Sequence, residues 1–291
     1  MAIDDREVSL FIAATPIGNL GDITFRLAEL LKSVNIIACE DTRKAQYILS
    51  HLGIQPAGRL VSFFEHNEEQ RLRQLITELK TGSQVLMMSD AGMPSVSDPG
   101  YVLVRAAIEN DIAFTVVPGP SAVTTALVAS GIEVDRFTFE GFLSRKAGER
   151  KEQLRRLLSE ERTMVFFESG HRIQDTITAM LEVFGESRRV AICRELTKTY
   201  EEVFRGSLSE ALTYASGDVR GEITIVLAGS NEVASSSDKD ILDALSLLAE
   251  EGIDRKTAVS HVAIMLKVPK RQVFDLALKI QFSQAPNIDA Q

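Results

Sequence analysis

The stretch FIAATPIGNLGDIT, residues 11–24, joins a short apolar run to a turn that contains two glycines. The run at 11–14 is typical of a buried strand. A dinucleotide-binding fold would continue with G-x-G-x-x-G at the start of a helix. Here Gly18 and Gly21 stand at a different spacing, and helical periodicity begins only near Thr24. The stretch therefore predicts a strand followed by a glycine turn that does not bind a dinucleotide phosphate.

Strand-like and helix-like segments alternate on both sides of this turn. Apolar runs at 34–39, 85–88 and 113–117 predict strands, and residues 68–80 have the apolar spacing of an amphipathic helix. The same alternation continues from residue 137 to residue 227. Alternation of this kind predicts an α/β fold with largely parallel strands.

Three segments mark the domain organisation. The prolines of VPGPSA (117–122) end a strand, and Ser121 can cap the helix that follows, which predicts two α/β domains over 1–118 and 119–230. The serine-rich residues 231–238 predict a linker. Residues 239–291 predict a small helical module whose layout resembles a helix-turn-helix. A helical dimerisation or packing element fits that pattern equally well.

Composition limits the class of protein. The 291 residues carry a formal charge of −9, so nucleic-acid binding would need local basic patches. The two cysteines lie in apolar runs, as buried reduced thiols do in cytosolic proteins. The acidic start is unlike a signal peptide, and no apolar run is long enough to span a bilayer. We expect a soluble, cytoplasmic protein with no membrane partner.

Small, turn-forming and charged residues concentrate where the predicted strands end. A single such loop is ordinary turn chemistry, but in parallel α/β sheets the carboxyl ends of strands are where ligands bind. Seven loops of this kind predict a ligand held by backbone groups at the mouth of a cleft. They read TPIGNLGD (15–22), CEDTR (39–43), SDAGMPSVSDPG (89–100), PGPSA (118–122), EGFL (140–143), ESGHR (168–172) and RELTK (194–198).

Several catalytic classes lack their motifs. Asp90 and Asp98 lie close before a glycine and a proline, as is typical of turn-forming residues. No pair of histidines or cysteines has the spacing of metal ligands, so no metal is predicted. The chain has no G-x-S-x-G and no Walker loop. Hydrolases and P-loop nucleotidases are therefore disfavoured.

Taken together, these motifs resemble the tetrapyrrole-methylase superfamily of S-adenosylmethionine-dependent methyltransferases, which have two α/β domains and a cofactor cleft between them. More narrowly, ATPIGNLGDIT, CEDTR, SDAGMPSVSDPG, PGPSA, EGFL and RELTKTYE resemble its ribosomal RNA branch, the small-subunit ribosomal RNA cytidine 2′-O-methyltransferases. The likeness runs from about residue 10 to residue 229, with a helical tail after it.

The resemblance implies S-adenosylmethionine as the cofactor, with the glycine turn forming part of its pocket. Many superfamily members have Gly-Asp-Pro where this chain has Gly92-Met93-Pro94, so an aspartate contact is not expected there. By position, the implied cofactor contacts are Gly18, Asn19, Met93, Pro94, Val96, Ser121, Ala122, Phe167, Cys193, Glu222 and Ile223.

The implied reaction is in-line transfer of a methyl group to a ribose 2′-oxygen. Because a sulfonium is already a good leaving centre, the enzyme mainly aligns the reactants and removes a weakly acidic proton. The strand-end loops offer Asp41 and Arg43 in CEDTR, with Glu195 and Lys198 in RELTK, as candidate catalytic residues. A set of salt bridges that orders the cleft is an equally good interpretation of each of these residues.

An acidic chain that binds RNA needs concentrated positive charge. The segment LSRKAGERKEQLRR supplies it, although its glutamates also fit a solvated helix face with intrahelical pairs. A second candidate patch opens the last helix of the tail. The predicted RNA contacts are Arg145, Lys146, Arg150, Lys151, Lys270 and Arg271.

Three alternatives remain beside the leading hypothesis. They are a tetrapyrrole-type small-molecule methyltransferase of the same fold, a non-catalytic nucleic-acid-binding protein and, last, a dinucleotide-dependent oxidoreductase. The basic segment and the helical tail favour RNA over a porphyrinoid substrate. By resemblance we expect a homodimer that acts on small-subunit ribosomal RNA, within the assembled small subunit if the protein recognises RNA shape.

Overall fold

The computed structural model describes residues 8–64, 66–96, 100–230, 237–266 and 268–282. They form two compact units. One unit holds both β-sheets, over 8–155 and 162–228, and the other holds residues 156–161 and the C-terminal helices. The predicted boundary between residues 118 and 119 falls within the first unit and stays a prediction.

The first sheet is parallel throughout, with strand order β3-β2-β4-β1-β5. Its strands are β1 (Leu10–Ala13), β2 (Ile36–Cys39), β3 (Arg59–Ser62), β4 (Val85–Met88) and β5 (Phe114–Val117). The helices between and after them are α1 (Phe25–Ser33), α2 (Thr42–His51), α3 (Glu68–Lys80), α4 (Tyr101–Glu109) and α5 (Ala122–Ser130).

Helices cover both faces of this sheet, which explains why its central strands are apolar at every position. All residues of β1, β2 and β4 are buried. Alternate side chains point to opposite faces, so Phe11 packs with residues of α1 and α2, whereas Leu10 packs with residues of α3 and α4. The sequence predicted β1, β2, β4 and β5 within two residues, but not the short strand β3 or the helix α2.

The second sheet is mixed, with strand order β6-β7-β10-β8-β9. Its strands are β6 (Phe137–Phe142), β7 (Thr163–Ser169), β8 (Arg189–Arg194), β9 (Glu202–Ser207) and β10 (Glu222–Leu227). Its helices are α6 (Ala147–Arg156), α7 (Ile173–Phe184) and α8 (Leu208–Ala215).

The prediction of largely parallel strands is wrong for this second sheet. Only β6 and β7 are parallel, and the other three pairings are antiparallel. The segment 195–201 between β8 and β9 is too short for the crossover that a parallel pair requires, so the two strands form a hairpin. The sequence did not predict β9, because only Val203 and Phe204 in it are apolar enough to indicate a strand.

The mixed topology brings one strand start to the edge where three strands end. The strand β10 runs antiparallel to both β7 and β8, so Glu222 pairs with Ser169 and Ile223 with Arg194. The amino end of β10 therefore lies beside the carboxyl ends of β7 and β8. The loops after β6, β7 and β8 share this edge with Glu222 and Ile223.

The C-terminal unit contains α9 (Asp238–Glu250), α10 (Arg255–Met265) and α11 (Lys270–Ala277), which confirms the predicted helical module. The three helices share an apolar core that includes Ile241, Val259 and Val273. Residues 231–236 of the predicted linker lie outside the described residues. Ser237 caps α9 through a capping box with Asp240, so Asp238 is already helical. No helix among the described residues is long and apolar enough to cross a membrane.

Candidate active site

A cavity of about 840 Å³, its open mouth included, lies where the strand ends of the two sheets meet within the first unit. The loops after β1, β4, β5 and β8 contribute to its wall, together with the carboxyl ends of β6, β7 and β8 and the start of β10. The lining residues are Ile17, Ala91, Gly92, Met93, Val96, Ser121, Ala122, Phe142, Phe167, Glu168, Cys193, Leu196, Glu222, Ile223 and Thr224.

Backbone hydrogen bonds join the loops after β1 and β4 beneath this cavity. The Thr15 amide donates to the Gly92 carbonyl at 2.9 Å, and the Gly92 amide donates back to Thr15 at 3.1 Å. The buried Thr15 hydroxyl donates to the Ser89 carbonyl, and the buried Ser89 hydroxyl donates to the Gly92 carbonyl. Gly92 has a φ of +80°, which glycine adopts without steric cost. These bonds fix the part of the wall that carries Met93 and Val96.

The glycine turn after β1 packs against the loop after β8. A Cβ at Gly18 would lie 2.7 Å from Thr197 Oγ1 and would overlap Lys198 Cγ. The next residue, Asn19, donates its amide hydrogen to Thr197 Oγ1 at 3.0 Å. Gly18 is therefore required for close contact with a loop of the second sheet, and this contact closes one side of the cavity.

The interior of the cavity is apolar around Cys193. Ile17, Val123, Leu196 and Cys193 belong to one buried cluster. Burial raises the pKa of the Cys193 thiol to about 11, and the charge of Arg205 offsets this effect only in part. The thiol is protonated at neutral pH, so Cys193 contributes apolar surface and not a nucleophile.

The Glu168 carboxylate lies in the wall of the cavity and forms hydrogen bonds with other residues of the protein. Its side chain is fully buried and accepts hydrogen bonds from the Thr176 hydroxyl at 2.6 Å and the Ser169 amide at 2.9 Å. Arg172 Nε lies 3.3 Å from Glu168 Oε1. These contacts satisfy the buried carboxylate with hydrogen-bond partners. Glu168 therefore orders the loop after β7.

Ser121 stands at the N-cap position of α5, but its side chain forms no capping hydrogen bond. The prediction that the Ser121 side chain caps this helix is therefore wrong. Ser121 lines the cavity instead, beside Ala122 in the first turn of α5. The hydroxyl and the helix N-terminus can thus serve a polar or anionic group of a bound ligand.

Lys198 joins two carboxylates at the rim of the cavity. Its Nζ donates to Glu195 and to Glu222, at 2.8 Å each. Burial alone would raise the pKa of Glu195, but the hydrogen bonds from Lys198 and the Glu222 amide outweigh burial and lower this pKa. Burial alone would lower the pKa of Lys198, but the two carboxylates raise it. Glu195 and Lys198 are therefore both charged at neutral pH.

A second charged cluster follows β2. Asp41 caps α2 by accepting from the Arg43 amide at 2.8 Å, and its carboxylate also pairs with the exposed Arg43 side chain. The hydrogen bonds from Arg43 lower the pKa of Asp41 to about 2. Asp90 accepts from the Asp41 amide and pairs with Lys44 Nζ, each at 2.9 Å. The charge of Glu222 helps raise the pKa of Lys44, so the clusters of the two sheets interact electrostatically.

The structure places most of the sequence-predicted cofactor residues around one cavity. Met93, Val96, Ser121, Ala122, Phe167, Cys193, Glu222 and Ile223 line it, whereas Gly18, Asn19 and Pro94 are outside the lining set. Asp98 lies outside the described residues. Sequence analysis named the segment EGFL but not Phe142 itself, and it missed Thr224, since a small residue within a strand carries no signal of its own. Whether each residue contacts a cofactor stays a prediction.

The predicted RNA contacts after β6 differ in exposure. Arg145 and Lys146 are exposed, and Lys146 pairs with Glu149 at 2.8 Å. Lys151 pairs with Glu182 at 2.5 Å. The Arg150 side chain is only 7% exposed and lies 3.6 Å from Asp175, so in this structure it cannot present its charge to a phosphate. Intrahelical pairs, the alternative interpretation of this segment, account for part of its charge, and pairs to residues of α7 account for a further part.

Comparisons with known proteins identify the family. The tetrapyrrole (corrin/porphyrin) methylases match residues 9–212. Among structures, a cobalt-precorrin-4 methyltransferase of cobalamin biosynthesis has a TM-score of 0.59 at 16% identity, covering 78% of this chain and 98% of its own. The uroporphyrin-III C-methyltransferase from Thermus thermophilus complexed with S-adenosyl homocysteine has a TM-score of 0.53 at 17% identity, covering 75% and 96%. These similarities confirm the fold.

Two relatives are similar over nearly their whole length, and both are named ribosomal RNA small subunit methyltransferase I. The protein from Halalkalibacterium halodurans is 41% identical over 94% of this chain and 95% of its own. The protein from Mycobacterium bovis is 44% identical over 93% and 94%, respectively. The chain therefore belongs to the tetrapyrrole methylase family and, within it, to the group of proteins named ribosomal RNA small subunit methyltransferase I.

Proposed function

We propose that this protein is an S-adenosylmethionine-dependent methyltransferase that acts on small-subunit ribosomal RNA, at the ribose 2′-oxygen of a cytidine. The observation that carries the proposal is its identity of 41–44%, over more than nine tenths of the chain, to proteins named for small-subunit ribosomal RNA methylation. The motif resemblance supports the finer assignment to a cytidine 2′-oxygen. The porphyrinoid methyltransferases of similar fold are only 16–17% identical to this chain. Their similarity therefore supports its fold and does not support a porphyrinoid substrate.

The cavity suits the proposed cofactor. S-adenosylmethionine combines an adenosine, a sulfonium and a carboxylate, and it needs apolar surface together with a few polar groups. Phe167, Cys193 and Ile223 supply apolar surface. The Ser121 hydroxyl and the first turn of α5 can receive the carboxylate. When bound, the cofactor supplies the electrophilic methyl group.

The charged clusters that follow β2 and β8 would position the acceptor ribose and not remove its proton. With its pKa at about 2, Asp41 is a weak base, and the lowered pKa of Glu195 has the same consequence. Lys198 is held protonated by Glu195 and Glu222. In this proposal Asp41, Arg43, Glu195 and Lys198 orient the RNA, so that most of the rate enhancement comes from alignment.

Glu40 is a better candidate for the general base. It is half-buried at the carboxyl end of β2. Burial, followed by the negative charge of Asp90, raises its pKa above the ordinary value. A carboxylate whose pKa is moved toward neutrality accepts a proton more readily than Asp41 or Glu195.

The test is methyl transfer to unmethylated small ribosomal subunits. The purified protein is incubated with methyl-labelled S-adenosylmethionine, the RNA is digested, and the nucleosides are identified by mass spectrometry. We expect label in 2′-O-methylcytidine. A variant with Ala122→Phe, which fills the cavity, is the inactive control once its fold is verified by circular dichroism. Absence of label from every nucleoside, while the cofactor still binds, would refute the RNA substrate.

The partner and cellular location belong to the same proposal. By the motif resemblance we infer a cytoplasmic homodimer that recognises RNA within the assembled small subunit. The name of the relatives supports small-subunit ribosomal RNA as the substrate. Label incorporation into assembled subunits and into naked RNA can be compared in the same assay. A rate at least equal on naked RNA would contradict recognition of the assembled subunit.

A further inference from the structure

A bulge in β6 redirects one aromatic side chain toward the cavity. Phe139 pairs with Val165 of β7, but the register then shifts, so that Phe142 pairs with Phe167. Gly141, at a φ of +66°, lies in this bulge. Side chains alternate along a regular strand, so residues 139 and 142 would normally point to opposite faces. The extra residue places Phe139 and Phe142 on the same face of the sheet, and bulges commonly re-aim a side chain in this way beside active sites.

Three phenylalanines form a connected set on that face. The ring centroids of Phe139 and Phe167 are 4.8 Å apart at an interplanar angle of 66°, and those of Phe167 and Phe142 are 5.6 Å apart at 60°. Phe142 lines the cavity but remains 53% exposed. Its ring is thus supported from the interior by an edge-to-face contact, while about half of its surface faces solvent at the cavity mouth.

The backbone next to Phe142 is fixed. Leu143 is buried, and its carbonyl accepts a hydrogen bond from Arg172 Nη2 at 2.7 Å. Arg172 is in turn paired with the buried Glu168. An exposed aromatic ring on a fixed backbone can contribute binding energy without first being ordered.

Positive charge follows the ring directly. Arg145 and Lys146 are both exposed, three and four residues beyond Phe142. Although Lys146 pairs with Glu149, that pair is itself solvent-exposed and contributes little. An aromatic ring next to exposed cations is the combination by which proteins hold single-stranded nucleic acid, with the base on the ring and the phosphate on the cations.

We propose that Phe142 is the stacking platform for an unstacked base of the RNA substrate at the mouth of the cavity. This inference rests on the proposed function. A ribose can reach a methyl donor inside the cavity only if its nucleotide leaves the RNA stack, and the unstacked base then needs a new apolar partner. Because every base has a π-face, such a platform contributes affinity and orientation but no sequence recognition.

The absence of tryptophan from the sequence gives a direct test. Phe142→Trp introduces a single indole whose fluorescence is quenched when a base stacks on it. The control is Phe137→Trp, at the opposite end of β6, where the residue is 43% exposed and lies outside the cavity lining. Each variant is titrated with S-adenosyl homocysteine and then, with this compound saturating, with a cytidine-containing single-stranded oligoribonucleotide whose binding is followed by anisotropy.

We expect quenching of Phe142→Trp by the oligoribonucleotide and not by S-adenosyl homocysteine, with no response from Phe137→Trp. Quenching by S-adenosyl homocysteine alone would assign the ring to the cofactor and overturn the proposal. Bound oligoribonucleotide without quenching would overturn it as well. This readout does not require methyl transfer, so its failure can be distinguished from a failure of the proposed function, which the methyl-label assay reports.

Kinetics on small ribosomal subunits complete the test. Phe142→Leu keeps an apolar side chain but removes the ring, and we expect kcat/KM for the subunits to fall about five- to a hundredfold. Phe142→Tyr keeps the ring and should remain within about twofold of the wild type. The dissociation constant of S-adenosyl homocysteine is measured for both variants, because Phe142 also lines the cavity. A loss of cofactor affinity that accounts for the whole fall in kcat/KM would overturn the proposal. An unchanged kcat/KM for Phe142→Leu would overturn the proposal.

Discussion

Gly18 illustrates how one residue can serve a site without lining it. Its hydrogen atom faces Lys198 and Thr197 of the second sheet, where no Cβ can be accommodated. The sequence predicted a special role for this glycine, and the structure gives the role a physical cause, namely close approach of two loops. It could not be foreseen that the partner would be the loop after β8, because that contact depends on how the two sheets pack.

Gly18→Ala should weaken cofactor binding. The added methyl group would push the 196–198 backbone away, at a cost of about 1–3 kcal/mol, and would shift Leu196 in the cavity wall. We expect a lower melting temperature and a higher dissociation constant for S-adenosyl homocysteine, measured by calorimetry. Gly148→Ala is the matched control, since Gly148 lies in α6 with open space around it. Equal behaviour of the two variants would contradict this account.

The Asp41–Arg43 pair predicts a pH dependence of stability. The folded-state pKa of Asp41, about 2, is below its ordinary value of 3.8. A carboxylate whose pKa is lower in the folded state stabilises the fold at pH values above its unfolded-state pKa. This stabilisation is lost as the pH falls from about 4 to about 2. Asp41→Asn keeps an N-cap oxygen for the Arg43 amide but removes the charge. We therefore expect its melting temperature to lie slightly below that of the wild type above pH 4 and to converge with it near pH 2.

The effect should be small, because the Arg43 side chain is 88% exposed and solvent screens the pair. Arg43→Gln is the second single variant of a double-mutant cycle. Because either single substitution already removes the ion pair, Asp41→Asn/Arg43→Gln should be no less stable than either single variant. A melting-temperature difference that stays constant from pH 2 to pH 6 would show that the cap and not the ion pair matters.

At the scale of elements, the loop after β8 is strained where it closes the cavity. Glu195 and Thr197 both have positive φ values, +51° and +65°. This conformation is rare for a β-branched residue and costs about 1–2 kcal/mol. The neighbouring Gly221 has a φ of +95° and lies against the Glu195 side chain, where no Cβ would fit. Backbone strain concentrates at functional sites, which agrees with the position of this loop at the rim.

The Thr197 hydroxyl is expected to hold this loop against the glycine turn. Thr197→Val preserves the β-branched shape and its strain but removes the acceptor for the Asn19 amide. We expect a loss of about 0.5–1.5 kcal/mol in the free energy of unfolding, with an increased KM for S-adenosylmethionine and little change in kcat. Thr197→Ser keeps the hydroxyl and should restore the KM. If Thr197→Val and Thr197→Ser share the same KM, the hydrogen bond has no part in closing the site.

At the scale of the whole molecule, local pattern predicted much of the fold and part of the site. Strands such as β1 and β4 are apolar at every position because both faces are covered, and this signal is readable in sequence. The strands β3 and β9 are short or half-exposed, so no periodicity indicates them. Phe142 entered the cavity wall only through a bulge and a register shift. Strand pairing is a non-local property, which explains why the mixed second sheet was not foreseen.

Acidic and basic residues lie in different segments of the C-terminal unit. Residues 238–254 contain six acidic and one basic residue, whereas residues 255–280 contain six basic and one acidic residue. In the second segment Lys270 and Arg271 are exposed at the start of α11. The negative overall charge of the protein therefore conceals a basic half of the tail, which is a candidate for the concentrated positive charge that RNA binding requires.

If this basic half contacts phosphates, Lys270→Gln/Arg271→Gln should weaken RNA binding without affecting the cofactor. Each lost phosphate contact reduces the slope of log K against log salt by about 0.7 to 0.9, so two contacts reduce it by roughly 1.5. The measurement is the affinity for small-subunit RNA between about 50 and 200 mM salt, together with the dissociation constant of S-adenosyl homocysteine. Arg105→Gln is the control, because Arg105 is an exposed cation of α4 that pairs with Glu109. An unchanged slope for the double variant would assign the tail to packing or dimerisation, whereas a reduced slope with unaltered cofactor affinity would make it an RNA-binding module.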